Sequence, residues 1–309
     1  VSQGEKLVIR PFEPADAGQI SDLFTHVYGQ RYVYPEVYLP SLIGQRNASG
    51  HWRSIVAEQQ DVIVGHAALV IESPHARCAE LAMMVVTPTA IGRGIGIRLA
   101  RALCGHARQW GMEMVVAMLV SSHSQTQRMA APLGFVTTGL LIDYLPSPYA
   151  IGTRETYVLT CLPLQPRPLP DIVWPRAAWP WIEDIVAPLG TCRSMPGLPG
   201  PEGRPALEVR SDGELVVLTI NEVNARVLAE IARLPRHCCR VARLRVCHAL
   251  DAASRSLWSA GYRHCGLMPA ADGGWYWLMQ AGFTTRSLRL HCHHASRIFA
   301  AAHEHGPHA

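Results

Sequence analysis

The stretch VVTPTAIGRGIGIRLARAL, Val85 to Leu103, sets a β-branched run and a proline ahead of a glycine-rich turn and an apolar, arginine-studded helix. The N–H groups that open a helix have no internal acceptor, and the helix dipole adds to their attraction for an anion. Glycine lets the backbone approach phosphate oxygens closely. Ile91, Gly92, Arg93, Gly94, Ile95, Gly96 and Ile97 therefore read as an anion cradle, with Pro88 where the strand before it must stop. Glycine-rich turns also serve packing alone; the strand before this one and the amphipathic helix after it favour the cradle. Two other phosphate loops fail on named residues. A dinucleotide fold repeats β-α-β units and sets an acidic residue about 20 positions on; Glu113 lies near that distance, but three strands with hairpin turns precede the loop. A Walker loop needs Gly-Lys-Ser/Thr, and Lys6 is the sole lysine of the chain.

Two further stretches carry residues able to bind or react. HVYGQRYVYPEVYLP, His26 to Pro40, holds Tyr28, Tyr32, Tyr34 and Tyr38 with Arg31 and Glu36. It reads either as a polar acceptor pocket or as a buried aromatic cluster under a loop. The tail LHCHHASRIFAAAHEHGPHA carries His291, Cys292, His293 and His294, residue types that ligate transition metals. Its spacing fixes no coordination geometry, so a disordered tail with no metal is the expectation, and a metal-sensing tail the alternative.

These residues must be positioned by the elements around them. KLVIRPF alternates as a strand, and EPADAGQISDLFTHVYG is an amphipathic helix with Pro14 and Asp16 at its start. SIVAEQQDVIVGHAALVIE gives two strands about a turn at Gln59–Gln60–Asp61, and CAELAMMVV a third. After the glycine turn and its helix come the strand MVVAMLV, the short helix SQTQRMAAPLG and the closing strand FVTTGLLIDYL. The segment from Pro163 to Trp181 is proline-rich and reads as an extended linker, and Ser194 to Pro205 as an irregular loop. Beyond them, ALEVRSDGELVVLTI is a hairpin about Asp212-Gly213, and NEVNARVLAEIARL a helix with an apolar stripe from Val223 to Leu234.

The segment Val115–Leu141 repeats in Arg240–Met268: strand, polar break, helix, Gly-aromatic (Gly134-Phe135, Gly261-Tyr262), then Gly-Leu (Gly139-Leu140, Gly266-Leu267). An internal repeat is expected, although any strand–helix–strand unit can end its helix in glycine. The expected domains are 1–162, a connector at 163–205, a smaller lobe at 206–283 and a histidine-rich tail at 284–309. The strands ELVVLTI and CRVARLRV would have open edges in so small a sheet, so the lobe should be covered by the first domain.

Residues 5–160 resemble the GCN5-related N-acetyltransferases (GNAT). The family pattern V-x-P-x-x-R/Q-G-x-G-x-G falls on Val86, Pro88, Ile91, Gly92, Gly94 and Gly96, with LVIRPFEPADAGQI, IVGHAALV and APLGFVTTG in matching order. Ile91 departs from the usual Arg or Gln. The resemblance implies a mixed α/β fold with a mostly antiparallel sheet and flanking helices. It implies an acyl-CoA donor, expected to be acetyl-CoA, bound by Met84, Val85, Val86 and Ile91–Ile97, with the strand before the loop splayed to pair the pantetheine arm. It places a general base at Glu80, which reads otherwise as a solvated strand-start glutamate. His123 falls near the pantetheine arm, or is a surface loop histidine. The usual tyrosine acid is replaced by Ala130, and Tyr144 and Tyr149 lie on the closing strands as candidates to reach the site or as structural tyrosines. Tyr28, Arg31, Tyr32 and Tyr34 fall where the family binds its acceptor.

The chain most resembles a bacterial subset with a second, degenerate lobe, here without glycines in TINEVNARVLAEI and so without CoA. The implied function is acyl transfer to a primary amine of a small or amino-acid-like molecule. Transfer would be direct, because no cysteine or serine stands at a recognisable nucleophile position. The alternative is an inactive CoA sensor or partner-binding module.

Composition bounds the rest. The 309 residues are 49% hydrophobic and 17% charged, enough for a buried core and too apolar for a disordered chain. No apolar run approaches the roughly 18 residues of a membrane span, and the first residues lack the basic-then-apolar character of a secretory signal. Nine cysteines without a CxxC pair fit reduced thiols. A cytoplasmic protein without membrane or nucleic-acid partners is expected, its modest net charge of +4 the balance of 28 basic residues, all but one of them arginine, against 24 acidic ones. Its oligomeric state is open.

Overall fold

The computed structural model describes residues 7–303 apart from 74, 123, 177–178, 190, 193–204, 271–272, 286 and 289. The chain is a mixed α/β protein that divides into two compact units, Val1–Met118 with Pro146–Thr153 and Leu119–Leu145 with Arg154–Ala309. No helix among the described residues is long and apolar enough to cross a membrane.

In the first unit, β1 (Val8–Pro11), β2 (Trp52–Gln59), β3 (Val62–Val70) and β4 (Cys78–Val86) are successive antiparallel neighbours. β5 (Met114–Val120) joins β4 in parallel. The turn expected after Gln59 is formed by Gln60 and Asp61, both at positive φ (+53° and +60°), the handedness that suits the twist of a tight hairpin. Alternating residues face two layers. Val56 and Ala68 enter a core with Ile20 and Phe24 of α1 (Ala17–Tyr28) and Ile43 of α2 (Pro40–Ala48). The start of α1 is pinned by Arg10, whose two Nη atoms each donate to Asp16 at 2.8 Å. On the other face, Gly65 leaves room for α3 (Ile95–Gln109), which buries Ile95, Leu99, Leu103 and Ala107 at four-residue spacing. Helix α2 follows directly on the tyrosine-rich stretch His26–Pro40; Pro40 at its first position suits a helix start.

The second unit holds α4 (Ser124–Ala130), β6 (Val136–Pro146), β7 (Arg154–Pro163), a two-residue parallel pair β8 (Leu169–Pro170) and β9 (Thr191–Cys192), and α5 (Trp179–Leu189). There follow β10 (Leu207–Asp212), β11 (Leu215–Ile220), α6 (Ala225–Ala232), β12 (Cys239–Arg245), α7 (Leu250–Ser259), β13 (Arg263–Pro269), β14 (Trp275–Ala281) and α8 (His293–His303). The strand order of this unit is β7-β6-β13-β14-β12-β11-β10.

Three expectations are corrected here. The proline-rich linker contains α5, which enters the core because Trp181 stacks on Trp277 at 5.2 Å. The tail is not disordered through 303: α8 buries Ala295, Ile298 and Ala302 under its histidines. β11 and β12 have no open edge, since β10 and β14 flank them. Residues 194–204 of the second expected loop lie outside the described residues.

The two segments compared in sequence, Val115–Leu141 and Arg240–Met268, share some backbone features. Gly134 and Gly261 end their helices at φ +87° and +91°, the left-handed cap that only glycine adopts freely. Phe135 N donates to Ala130 O at 3.1 Å, and Tyr262 N to Leu257 O at 3.0 Å. The matching glycines of the two segments then meet: Gly139 of β6 pairs antiparallel with Gly266 of β13. A Cβ on Gly266 would stand 2.3 Å from Gly139 Cα.

Candidate functional site

The glycine cradle forms at the start of α3. Gly92 and Gly94 take φ of +86° and +73°, conformations that β-branched neighbours could not share, and Gly94 is the N-cap. A Cβ on Gly92 would meet nothing within 4 Å, and one on Gly94 only Ile97 Cγ2 at 3.9 Å. The N–H groups of Ile95, Gly96 and Ile97 thus open the helix as a first turn without intrahelical acceptors, and Ile91 to Gly94 lie exposed before it. Ile91 is 61% exposed, so no apolar packing replaces the Arg or Gln of the family pattern.

The strand feeding this turn is bent. β4 pairs β5 through Cys78–Met114, Ala79–Val115 and Glu80–Val116, then runs on to Val86 beyond the last pair. On its other side the ladder to β3 shifts between His66 and Ala68: Ala67 alone faces two β4 residues, Met83 and Met84. Met83 takes φ +51°, uncommon for a residue with a side chain. This is a β-bulge, a device that re-aims a strand beside functional sites.

Glu80 is half-buried at the last β4–β5 pair, where the strands part. The tyrosines are brought together. Tyr32 lies 4.8 Å from both Phe24 and Tyr28 and 6.0 Å from Tyr34, while Tyr149 reaches Tyr28 at 5.9 Å. Tyr28, Tyr32, Tyr34 and Tyr38 pack against the core cluster that includes Phe24, Val37 and Met83. Tyr38 is tied in by accepting the Tyr32 N–H at 2.8 Å. Arg31 stands exposed beside them.

Tyr144 belongs to the second unit, buried on β6 with its ring edge-on to Tyr157 at 6.1 Å. His123 lies outside the described residues. In the tail, Thr137 Oγ1 and Cys292 Sγ are 3.1 Å apart, and His294 Nδ1 is 3.1 Å from Asp184. Among the described residues no three His, Cys, Asp or Glu side chains form a group that could hold a metal.

Two residues escape the sequence reading. Gly65 admits α3 to the sheet, signalled by a glycine inside a strand. His66 Nδ1 lies 2.9 Å from the carbonyl of Met83 at the bulge; its signal is a polar residue amid VIVGHAALV.

Residues 19–135 match the acetyltransferase (GNAT) family model. They form a GNAT domain. Solved structures similar in fold to this GNAT-bearing chain include an N-acetyltransferase from Staphylococcus aureus Mu50, 17% identical with a TM-score of 0.45, covering 52% of this chain and 99% of that one. The ribosomal-protein-S18-alanine N-acetyltransferase from Escherichia coli is 17% identical with a TM-score of 0.43, covering 52% and 95%. The Salmonella typhimurium protein yncA, solved with its cofactor acetyl-CoA, is 22% identical with a TM-score of 0.45, covering 54% and 98%. No curated protein matches the chain.

Proposed function

We propose that the chain transfers an acyl group, acetyl in the first instance, from acyl-CoA directly to a primary amine of a small or amino-acid-like molecule. The observation that carries this is the coupling of a bulged β4, which leaves β5 at Glu80, to a glycine-opened helix start. The donor is expected along Met84, Val85 and Val86, with its pyrophosphate at Ile91–Ile97. Bound there, it supplies a thioester carbonyl to the amine.

The protein must strip the acceptor's proton and return one to the departing thiolate. Glu80, half-buried where the strands separate, is the proposed base. Tyr144 and His123 remain the candidates drawn from the resemblance for the rest of the proton traffic. Tyr28, Tyr32, Tyr34 and Arg31 are the proposed acceptor contacts. Residues 206–283 are proposed as a degenerate copy without a donor site. In support, β11 and β12 pair in parallel through six residues from Leu215–Cys239 to Ile220–Leu244, leaving no gap like that beyond Glu80.

Replacing Gly94 with glutamate adds a side chain at positive φ and a negative charge at the helix start. CoA binding is expected to vanish while the far-ultraviolet circular dichroism stays that of the wild type. Calorimetry reads it, and an unchanged CoA affinity in G94E sinks the assignment. The sensor reading draws on Ile91 and on buried Ala130 in the place of the tyrosine acid. A panel of primary amines assayed for release of CoA thiol separates the two: release that needs Gly94 supports the enzyme, and CoA binding without release by any amine supports the sensor.

A further inference from the structure

We propose that His66 is a positioning residue for the donor site: its ring N–H holds the Met83 carbonyl and so fixes the bulge that turns β4 away from β5. This rests on the acyl-CoA reading above, which locates the donor on β4 but gives His66 no part.

A carbonyl oxygen can only accept, so the 2.9 Å contact fixes the proton on Nδ1. The extra β4 residue leaves one carbonyl out of step with the β3 ladder, and a buried carbonyl must find a donor. His66 supplies it from the neighbouring strand, one ladder position from the register shift. The ring itself is sealed in the core, edge-on to Phe24 at 5.8 Å, and its Nε2 has no hydrogen-bond partner among the described residues. A ring present only to fill space would be served by an apolar side chain, which leaves no orphaned nitrogen. Burial, opposed by the Met83 hydrogen bond and by Asp16, holds the ring neutral with a pKa of about 4. The donor to Met83 is therefore in place throughout the neutral range.

The contacts thus act in series. His66 holds Met83 O; Met83 at φ +51° makes the bulge; the bulge sets the course of Met84–Val86; and that course ends in the cradle. His66 touches neither donor nor acceptor and acts through the backbone alone.

The test uses the full chain with His66→Leu, which fills the space and removes the donor, and His66→Asn, whose amide N–H stands near the place of Nδ1. Calorimetry with CoA and amide hydrogen exchange at residues 81–86 are read on each. H66L is expected to weaken CoA binding roughly tenfold and to change exchange at 81–86 before any CoA is added, with H66N near wild type in both. In turnover the loss should fall on the KM for acetyl-CoA, with the KM for the amine unmoved. H66L with wild-type affinity and exchange overturns the proposal. So does a folded H66N weakened as much as H66L, and if H66L fails to fold, H66N decides alone. A wild-type chain that binds no CoA removes the acyl-CoA reading instead, while the exchange pattern still judges whether His66 sets the bulge.

Discussion

His264 is, like His66, a buried imidazole, and it is bound the other way round. Its Nδ1 accepts the Trp277 indole N–H at 2.9 Å, and its face lies on Trp258 at 5.2 Å. Burial, then the charge of Arg263, lowers its pKa to about 4, the same value as His66. An unfolded histidine titrates near 6.5. Between those limits the unfolded chain holds more protons than the folded one, so stability rises with pH through the window and falls as the solution is acidified. Each ring contributes on the order of 3 kcal/mol across the full window. The carboxylates act in a lower range. Asp16 and Asp143 are held below the ordinary value by their hydrogen bonds, to Arg10 and to Thr285 and Thr284, against the opposing effect of burial. Their contribution is intact above about pH 4 and is lost as pH falls below it. Urea midpoints should therefore drop steadily from pH 7 to pH 4.5, and His264→Gln, which still offers Trp277 an acceptor, should flatten that slope. A level midpoint across this range in the wild type contradicts the assignment of both rings as neutral.

The elements that position the site respond to smaller changes. Gly65 faces α3 with no side chain, and a Cβ there would stand 3.0 Å from Ile95 Cγ2 and 3.3 Å from Leu99 Cδ1. Gly65→Ala should cost about 1–3 kcal/mol through overpacking and, by shifting the first turn of α3, weaken CoA binding as well. Equal urea midpoints and equal CoA affinity in G65A and wild type would detach Gly65 from the cradle. Periodicity made α3, the β2–β3 turn and the β10–β11 hairpin at Gly213 legible, because local residue types decide each of them. It could not show the bulge at Met83: CAELAMMVV alternates smoothly between buried and half-buried, and the extra residue appears only against β3. α5 was hidden by Pro180 and Pro188, which look like linker until Trp181 is seen stacked on Trp277. α8 was hidden by histidines lying over a small apolar stripe. The cradle could be read from one segment; the partners of His66, Tyr28 and Tyr149 depend on segments far apart in sequence.

At the scale of the whole molecule, the acyl-CoA domain expected at 1–162 does not close on itself. Its strand β6 belongs to the second compact unit and is held there by residues beyond 162. Gly139 pairs with Gly266; the fully buried Gln280 side chain accepts from Ile142 N at 2.9 Å and donates to Ile142 O, standing in for a strand neighbour. Asp143, at φ +49°, receives the N–H groups of Thr284 and Thr285 at 2.8 and 2.9 Å and both of their hydroxyls. Removing residues 163–309 would leave Gly139–Asp143 as an apolar edge with unmet backbone groups, the condition that drives strand-to-strand aggregation. It would also strand the Asp143 carboxylate, whose hydrogen bonds to Thr284 and Thr285 would be lost. A 1–162 fragment should therefore retain CoA binding, since β4 and α3 lie within it, yet sediment as soluble oligomers or aggregates and differ from the full chain in which amines it accepts. Analytical ultracentrifugation, CoA calorimetry and the same amine panel measure all three. A monodisperse fragment with full activity and unchanged acceptor preference would show residues 206–283 to be an independent appendage rather than the cover of β6.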